Sequence, residues 1–241
     1  MMRNTAFRAQ SRMRGLIVAP LLAGVACFAL PAWAGSAAQP AGSELVSAGV
    51  NGVSTGGASS GVPLDGDGSV IAFHSDASQL VSGDTNQVRD VFVYDSTTDE
   101  VERISVASDG RAANRASHAA GGAPSLSADG QLVAFYSDAT NLVDADVAGE
   151  RNVYVHDRAD GTTALITVGL GGEPANGPSL FPSMSADGRY VAFQSQASNL
   201  VADDTNGVAD IFVYDRVDSV MQRACAVEGD KFSFSPALSD D

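Results

Sequence analysis

Three acidic, turn-like segments hold most of the side chains that could bind a ligand. They read GDTNQVRDVFVYD (83–95), DADVAGERNVYVHD (144–157) and DDTNGVADIFVYD (203–215). Calcium takes about six to eight oxygen ligands, and Asp and Asn side chains in a compact loop supply several of them. The segments are therefore candidate calcium sites, with candidate ligands Asp84, Asn86, Asp90, Asp144, Asp146, Asp203, Asp204, Asn206 and Asp210.

The same residue types also favour a purely structural role in turns. Asp and Asn side chains accept hydrogen bonds from backbone N–H groups of tight turns. The second segment has DVAG where the third has DTNG, so one metal site is not kept in all three segments. The segments also lack the terminal glutamate of a calcium-binding helix-loop-helix. Turn formation is the favoured interpretation, and calcium is the alternative.

Side chains suited to catalysis are few. The histidines are His74, His118 and His156, and the triplet HSD at 74–76 lies on one predicted strand. Adjacent strand residues point to opposite faces, so this triplet cannot form a proton relay. No nucleophile-elbow motif, phosphate-binding loop or zinc-ligand spacing is found. The sequence therefore predicts a protein without a catalytic site and with no cofactor other than calcium.

An internal repeat must position these residues. VIAFHS (70–75), LVAFYS (132–137) and YVAFQS (190–195) place phenylalanine at intervals of 62 and 58 residues. The segments that begin at Val91, Val153 and Ile211 keep the same intervals. Three units, about 62–108, 123–169 and 181–228, therefore fill most of the chain.

Each unit divides into four short strands, a to d. In the second unit these are 123–127, 131–137, 152–157 and 162–168, and an ADG turn joins the first two. Strands b and c are almost continuously apolar, which indicates burial on both faces. A sheet buried on both faces needs a neighbouring sheet on each side. The prediction is an all-β fold, a β-propeller of four-stranded antiparallel blades, with a β-sandwich as the alternative.

Repeated side chains have predicted places in this fold. Six aromatic residues are expected to pack between blades: Phe73, Phe92, Phe135, Tyr154, Phe193 and Phe212. Six aspartates at turns are expected to accept backbone hydrogen bonds, with an acidic rim for a basic partner as the alternative: Asp67, Asp95, Asp129, Asp157, Asp187 and Asp215.

The repeats resemble a known family. PSLSADGQLVAFYS (124–137), PSMSADGRYVAFQS (182–195) and DIFVYDR (210–216) are similar to TolB-like, WD-like β-propeller repeats, in particular those of a secreted branch. Leu126 and Met184 stand where the family has tryptophan. The resemblance covers most of 62–241 and implies a propeller. Because related propellers accompany peptidases, one alternative is the propeller part of a larger glycan-processing or peptidase enzyme.

The ends of the chain offer part of a fourth blade. Residues 44–48, within the segment 35–61, match strand d, and 234–241 match strand a and its turn. Three explanations are open: a piece of a longer propeller, a ring completed by another copy, and an open arc. The last two predict self-association through exposed sheet faces.

The N-terminal residues 1–34 predict a cleaved signal peptide. Four arginines precede the apolar run GLIVAPLLAGVACFAL, and AWA precedes the expected cut after Ala34. The mature chain has 10 basic and 29 acidic residues, a net charge of −19, which disfavours nucleic acid and anionic membrane surfaces. It keeps one cysteine, Cys225, expected to be a small buried residue. We therefore expect a periplasmic or secreted module that binds a protein or glycan partner and does not insert into membrane.

Overall fold

A computed structural model describes residues 45–49, 56–118, 121–147, 149–225 and 236–239. All of them belong to the compact unit Glu44–Asp241. The predicted signal peptide, most of the segment that follows it and the side chain of Cys225 lie outside this description.

The described residues form three four-stranded antiparallel sheets, which confirms the predicted blades. Within each sheet the strands lie side by side in chain order. Helical structure in these ranges is limited to one 3₁₀ turn, Leu170–Gly172. The strands are β1 (Ser59–Ser60), β2 (Val70–Ser75), β3 (Asp90–Asp95) and β4 (Glu100–Arg103); β5 (Ser125–Leu126), β6 (Leu132–Ser137), β7 (Asn152–Asp157) and β8 (Thr162–Leu165); β9 (Ser179–Met184), β10 (Tyr190–Ser195), β11 (Asp210–Asp215) and β12 (Val220–Cys225).

The turn between strands a and b shows why the repeat keeps an ADG sequence. Ser127 Oγ donates to Asp129, and the Gly130 N–H donates to the Ser127 carbonyl. Gly130 has a φ of 66°, and a Cβ there would lie 2.7 Å from the Val70 side chain. Only glycine suits both the backbone angle and this contact with the neighbouring blade.

Strand β6 shows that the blades stack face to face. Val133 and Phe135 belong to a buried cluster with residues of the first sheet, such as Val93. Ala134 and Tyr136, on the opposite face of the strand, belong to a second cluster with residues of the third sheet, such as Val191 and Phe193. The second sheet therefore lies between the other two, which confirms the predicted burial of both faces.

The predicted packing of aromatic residues between blades is confirmed in the second and third blades, whereas the first-blade pair clusters with residues of its own unit and Val46. In each blade the aromatic residue of strand b stacks on that of strand c, and every one of these rings is at most 1% exposed. The ring-centroid distances are 5.7 Å for Phe73–Phe92, 5.7 Å for Phe135–Tyr154 and 6.0 Å for Phe193–Phe212.

Strand a of the second unit explains why the two repeat intervals differ. Ser179 and Met184 pair with β10 with five residue steps between them, as do Ser59 and Leu64 with β2. The matching positions of the second unit, Ser117 and Leu126, are nine steps apart. The sequence between these two pairing positions is therefore four residues longer in the second unit than in the other two.

The a–b turns of successive blades are joined by backbone hydrogen bonds. The Gly66 N–H donates to the Ala128 carbonyl (2.9 Å), and the Ala128 N–H donates to the Ala186 carbonyl (2.8 Å). The segments predicted for a fourth blade are only partly described. Ala48 forms a single bridge, and the Leu238 N–H donates to Ser183 Oγ beside strand a of the third blade.

Candidate functional site

The first and third acidic segments form the predicted side-chain turns. Asn86 Nδ2 donates to Asp90 (2.8 Å) and to the Ala113 carbonyl (2.9 Å), and its Oδ1 accepts from the Val88 N–H. Asn206 repeats this arrangement with Asp210 (2.8 Å). These asparagines therefore hold the start of strand c in place.

A partly buried arginine accompanies each of these two turns. Arg103 Nη1 lies 3.3 Å from Asp84 Oδ1 and 3.9 Å from Asp90 Oδ2. In the third unit Arg223 Nη1 lies 2.9 Å from an oxygen of Asp204 and 3.5 Å from one of Asp210. In both units a guanidinium from strand d supplies positive charge to carboxylates that were candidate calcium ligands.

Sequence reasoning missed these arginines, although a signal was present. Arg103 and Arg223 are 120 residues apart, the same interval that separates Asp84 from Asp204 and Asp90 from Asp210. The second unit has Leu165 in place of the arginine.

The second acidic segment is built differently. At the position of Asp90 it has Asn152, whose Oδ1 accepts from Thr167 Oγ1 (2.7 Å). Asp144 and Asp146 are exposed in the b–c loop, and Asp203 is exposed in the third unit. Within the described ranges no three His, Cys, Asp or Glu residues are arranged to hold a metal ion. Calcium binding therefore stays a prediction.

Burial changes the titration of two of the predicted ligands. Burial raises the pKa of Asp90 to about 6, although Ser105 Oγ (2.5 Å) and Asn86 donate to it. Burial also raises the pKa of Asp204. Asp210 is fully buried, and its Oδ1 has no hydrogen bond to another described residue. Charge in these clusters is therefore costly without the nearby arginines.

The turn aspartates have the predicted structural role. Asp95 Oδ1 accepts from the Thr97 N–H (3.0 Å), and Asp129 Oδ1 accepts from the Gln131 N–H (3.1 Å). Hydrogen bonds, first that from the Ser127 hydroxyl, lower the pKa of Asp129. The same backbone bond recurs at Asp67, Asp157, Asp187 and Asp215.

Two of the histidines lie together between the first and second blades. The His118 ring stacks between His74 (5.4 Å between centroids) and Tyr136 (4.2 Å). His118 is fully buried with a φ of 53°, and its Nε2 accepts from the Tyr136 N–H (3.4 Å). Burial lowers its pKa to about 3, so the ring is neutral near pH 7. Sequence reasoning did not predict this stack.

The other two histidines each contact a hydroxyl group of their own unit. His74 Nε2 lies 2.7 Å from Ser60 Oγ, and Asp76, two residues later, pairs with Arg89 (2.7 Å). His156 Nδ1 lies 2.9 Å from Thr163 Oγ1, and burial lowers the pKa of His156. The described imidazoles therefore lie in contacts between and within blades.

Asparagine pairs that sequence reasoning also missed join neighbouring units. Asn141 Oδ1 accepts from the Asn114 N–H (2.9 Å), and its Nδ2 donates to the Ala112 carbonyl. Asn199 makes the same bonds to Asn176 (3.0 Å) and the Pro174 carbonyl. The d–a loop of one unit is thus fixed to the b–c loop of the next. We call the face formed by these loops the loop face; among the described residues it comprises 76–89, 104–116, 138–147, 149–151, 166–178 and 196–209.

TolB proteins are among the structural neighbours of this chain. TolB from Acinetobacter baumannii is 20% identical, with 76% of this chain and 35% of that chain covered and a TM-score of 0.47. The putative TolB from Agrobacterium tumefaciens is 20% identical, with 66% and 46% covered and a TM-score of 0.40. A prolyl endopeptidase structure is 14% identical, with 73% and 23% covered and a TM-score of 0.44.

The chain spans less than half the length of each of these structures. No family model and no curated protein matches it. The fold assignment therefore rests on the three stacked sheets themselves. Among the described residues, no helix is both long and apolar enough to cross a bilayer.

Proposed function

We propose that this protein is an exported, non-catalytic propeller module that binds a protein or glycan partner through its loop face. The proposal rests on a comparison of the positions that are the same in the three units with the positions that differ. The units keep the packed aromatic positions and the turn aspartates, whereas their loop-face segments share asparagine turns in pairs of units and differ at other positions. A rigid scaffold with variable loops is the usual arrangement of a binding surface.

Two arginine–aspartate pairs illustrate this variation. Arg89 pairs with Asp76 (2.7 Å) in the first unit, and Arg151 pairs with Asp138 (2.6 Å) in the second. The third unit has Gln196 and Ala209 at these positions. The loop face above the third blade therefore differs from that above the first two, so the three blades do not form three equivalent sites.

Arrays of glycans and of peptides, probed with the mature chain from residue 35, test the binding role. We expect saturable binding to one ligand class and no turnover of peptide, ester or glycoside substrates. Binding should be lost when loop-face residues are changed and kept when an exposed residue elsewhere, such as Val217, becomes serine. Turnover of any substrate by the purified chain would contradict a non-catalytic role.

Export is supported by the N-terminal sequence alone. Mass spectrometry of the protein recovered outside the cytoplasm should find a chain that begins at Gly35. A chain that retains Met1 and stays in the cytoplasm would refute this part of the proposal.

Calcium stabilisation is a second candidate function, and only the second unit favours it. Asp144 and Asp146 are exposed in its b–c loop. This unit has Leu165 at the position of the arginine that lies beside the carboxylates in the other two units. After chelation, calcium at millimolar concentration should then raise the melting temperature. The Asp144→Asn, Asp146→Asn variant should lose this response. An unchanged melting temperature together with no heat in calorimetric titration would exclude it.

A further inference from the structure

The loop that follows strand d of one blade passes over strand d of the next blade, and we call this contact the seam between the two blades. The two seams of the described structure differ. The seam between the first and second blades is closed by hydrogen bonds. The Thr163 N–H donates to Ser108 Oγ (2.9 Å), and Thr163 Oγ1 donates to the Val106 carbonyl (2.5 Å). Thr163 is buried as a result.

The matching seam between the second and third blades has apolar residues in place of both hydrogen-bonding side chains. By the repeat intervals of 62 and 58 residues, Leu170 stands at the position of Ser108, and Met221 stands at that of Thr163. Neither side chain can form the bonds that close the first seam. The Leu170 N–H instead donates to the Asn199 carbonyl (2.8 Å), within the loop face.

An open groove of about 540 Å³ lies at this second seam. Its apolar walls include Val168, Leu200 and Val201 in addition to Leu170, Val220 and Met221. Leu170 is 58% exposed and Val220 is 42% exposed. Binding sites usually have volumes of about 300–1,000 Å³ and mainly apolar walls with a few polar groups.

Two hydroxyl groups supply polar contacts at the groove. Tyr214 and Ser219 stand at the positions of Tyr94 and Asp99, whose side chains are hydrogen-bonded to each other in the first blade (3.1 Å). The side chains of Tyr214 and Ser219 make no hydrogen bond to another described residue. Both hydroxyls therefore remain able to bond an occupant.

Carboxylates border the groove. Glu173 follows the lining residue Gly172, and Asp203 follows the lining residue Ala202. Both are exposed, and neither forms an ion pair with another residue in the described ranges. The groove is lined by no Lys or Arg of the described residues. Its charge therefore complements a cationic occupant.

We propose that this groove binds a peptide segment of a partner protein, which inserts an aliphatic side chain and places basic residues against Glu173 and Asp203. The site rests on the proposed binding function and names one place for it. Apolar burial supplies the affinity, and the acidic border selects basic flanks.

Fluorescence anisotropy of the mature chain with synthetic peptides tests the groove. The probe is a labelled nonapeptide with a central leucine between two pairs of lysines. Peptides with serine for the leucine, or glutamates for the lysines, should bind about tenfold more weakly or worse. Equal binding of all three peptides would overturn the proposed recognition.

Variants then locate the binding. Leu170→Ser with Met221→Thr copies the closed first seam, so it should fold and weaken binding by about tenfold or more. Val217→Ser, an exposed change outside the groove, is the matched control and should bind normally. Glu173→Lys with Asp203→Asn leaves the apolar walls intact and should remove the preference for lysine over glutamate flanks.

The results of these binding experiments distinguish failure of the groove proposal from failure of the proposed binding function. Unchanged peptide binding by the Leu170→Ser, Met221→Thr variant overturns the groove but supports a binding module that uses another surface. Binding of a small apolar dye without any peptide overturns the peptide occupant. Failure of every peptide and every glycan to bind counts against both proposals.

Discussion

At the scale of single residues, His118 is the most unusual side chain of the described structure. It has a positive φ, full burial and ring contacts with His74 and Tyr136, and burial lowers its pKa to about 3. Arg89 donates to its carbonyl at 3.5 Å, which places a further positive charge nearby. A protonated ring here would be desolvated and close to like charge.

We predict that His118 makes folding stability depend on pH between about 6.5 and 3. In this range the unfolded chain binds a proton at His118 and the folded chain does not, so stability falls as pH falls. The loss attributable to His118 is about 2 kcal/mol between pH 7 and 5. Urea denaturation at several pH values measures it.

A variant is needed to isolate this effect, because Asp90 acts in the opposite direction. The pKa of Asp90 is about 6 in the folded chain and 3.8 in the unfolded chain, so between these values the folded chain binds a proton at Asp90 and the unfolded chain does not. In this range the contribution of Asp90 to folding stability rises as pH falls. His118→Asn tolerates the positive φ and does not titrate. The variant should show a smaller fall in stability than the wild type. Parallel curves for the two proteins would rule out the role of His118.

At the scale of elements, two partly buried arginines connect the b–c loop to strand d. Arg103 connects the loop residue Asp84 and the first residue of β3, Asp90, to the end of β4. The second unit reaches the same strand arrangement with Asn152 and Leu165. The ionic cluster is therefore one of two solutions to the same local fold.

We predict that Arg103→Leu lowers the free energy of unfolding by about 3 kcal/mol, because it leaves buried carboxylates without a counter-charge. Chemical denaturation at pH 7 measures the change. Most of the loss should be recovered in the triple variant Arg103→Leu, Asp84→Asn, Asp90→Asn, which removes the uncompensated charge. Equal instability of the single and triple variants would contradict an electrostatic cause.

At the scale of the whole described unit, the second sheet is the central layer. One face of β6 packs on the first sheet and the other on the third, so each outer sheet has an interface with it. In repeat proteins such interfaces couple the stabilities of neighbouring units. The three sheets should therefore unfold together.

We predict that Phe135→Ala, in the central sheet, lowers the free energy of unfolding of all three sheets by about 3–5 kcal/mol. Far-ultraviolet circular dichroism and tyrosine fluorescence should report one coincident urea transition for the wild type and for the variant. Val217→Ser is the control and should change stability by less than about 0.5 kcal/mol. Separate transitions for the two probes would show that the blades are independent.

Much of the element level could be predicted from the sequence, because strand formation depends on local pattern. The intervals of 62 and 58 residues, the glycine turns and the apolar b and c strands predicted four-stranded units. Strand c of the second unit was predicted at its observed bounds, Asn152–Asp157, whereas strand d was predicted to 168 and ends at Leu165. The residue at which a strand ends depends on how the strand pairs with its neighbour, and the sequence of one segment does not determine that pairing.

The sequence by itself determined the repeat, the strands and the role of the turn aspartates, since each depends on neighbours within a few residues. Only the tertiary structure decided which distant side chains meet. It placed Arg103 beside Asp84, stacked His118 between His74 and Tyr136, and left a groove where Leu170 and Met221 replace a hydrogen-bonded pair. These contacts join residues from different strands, loops and blades, so their geometry follows from packing and not from local sequence.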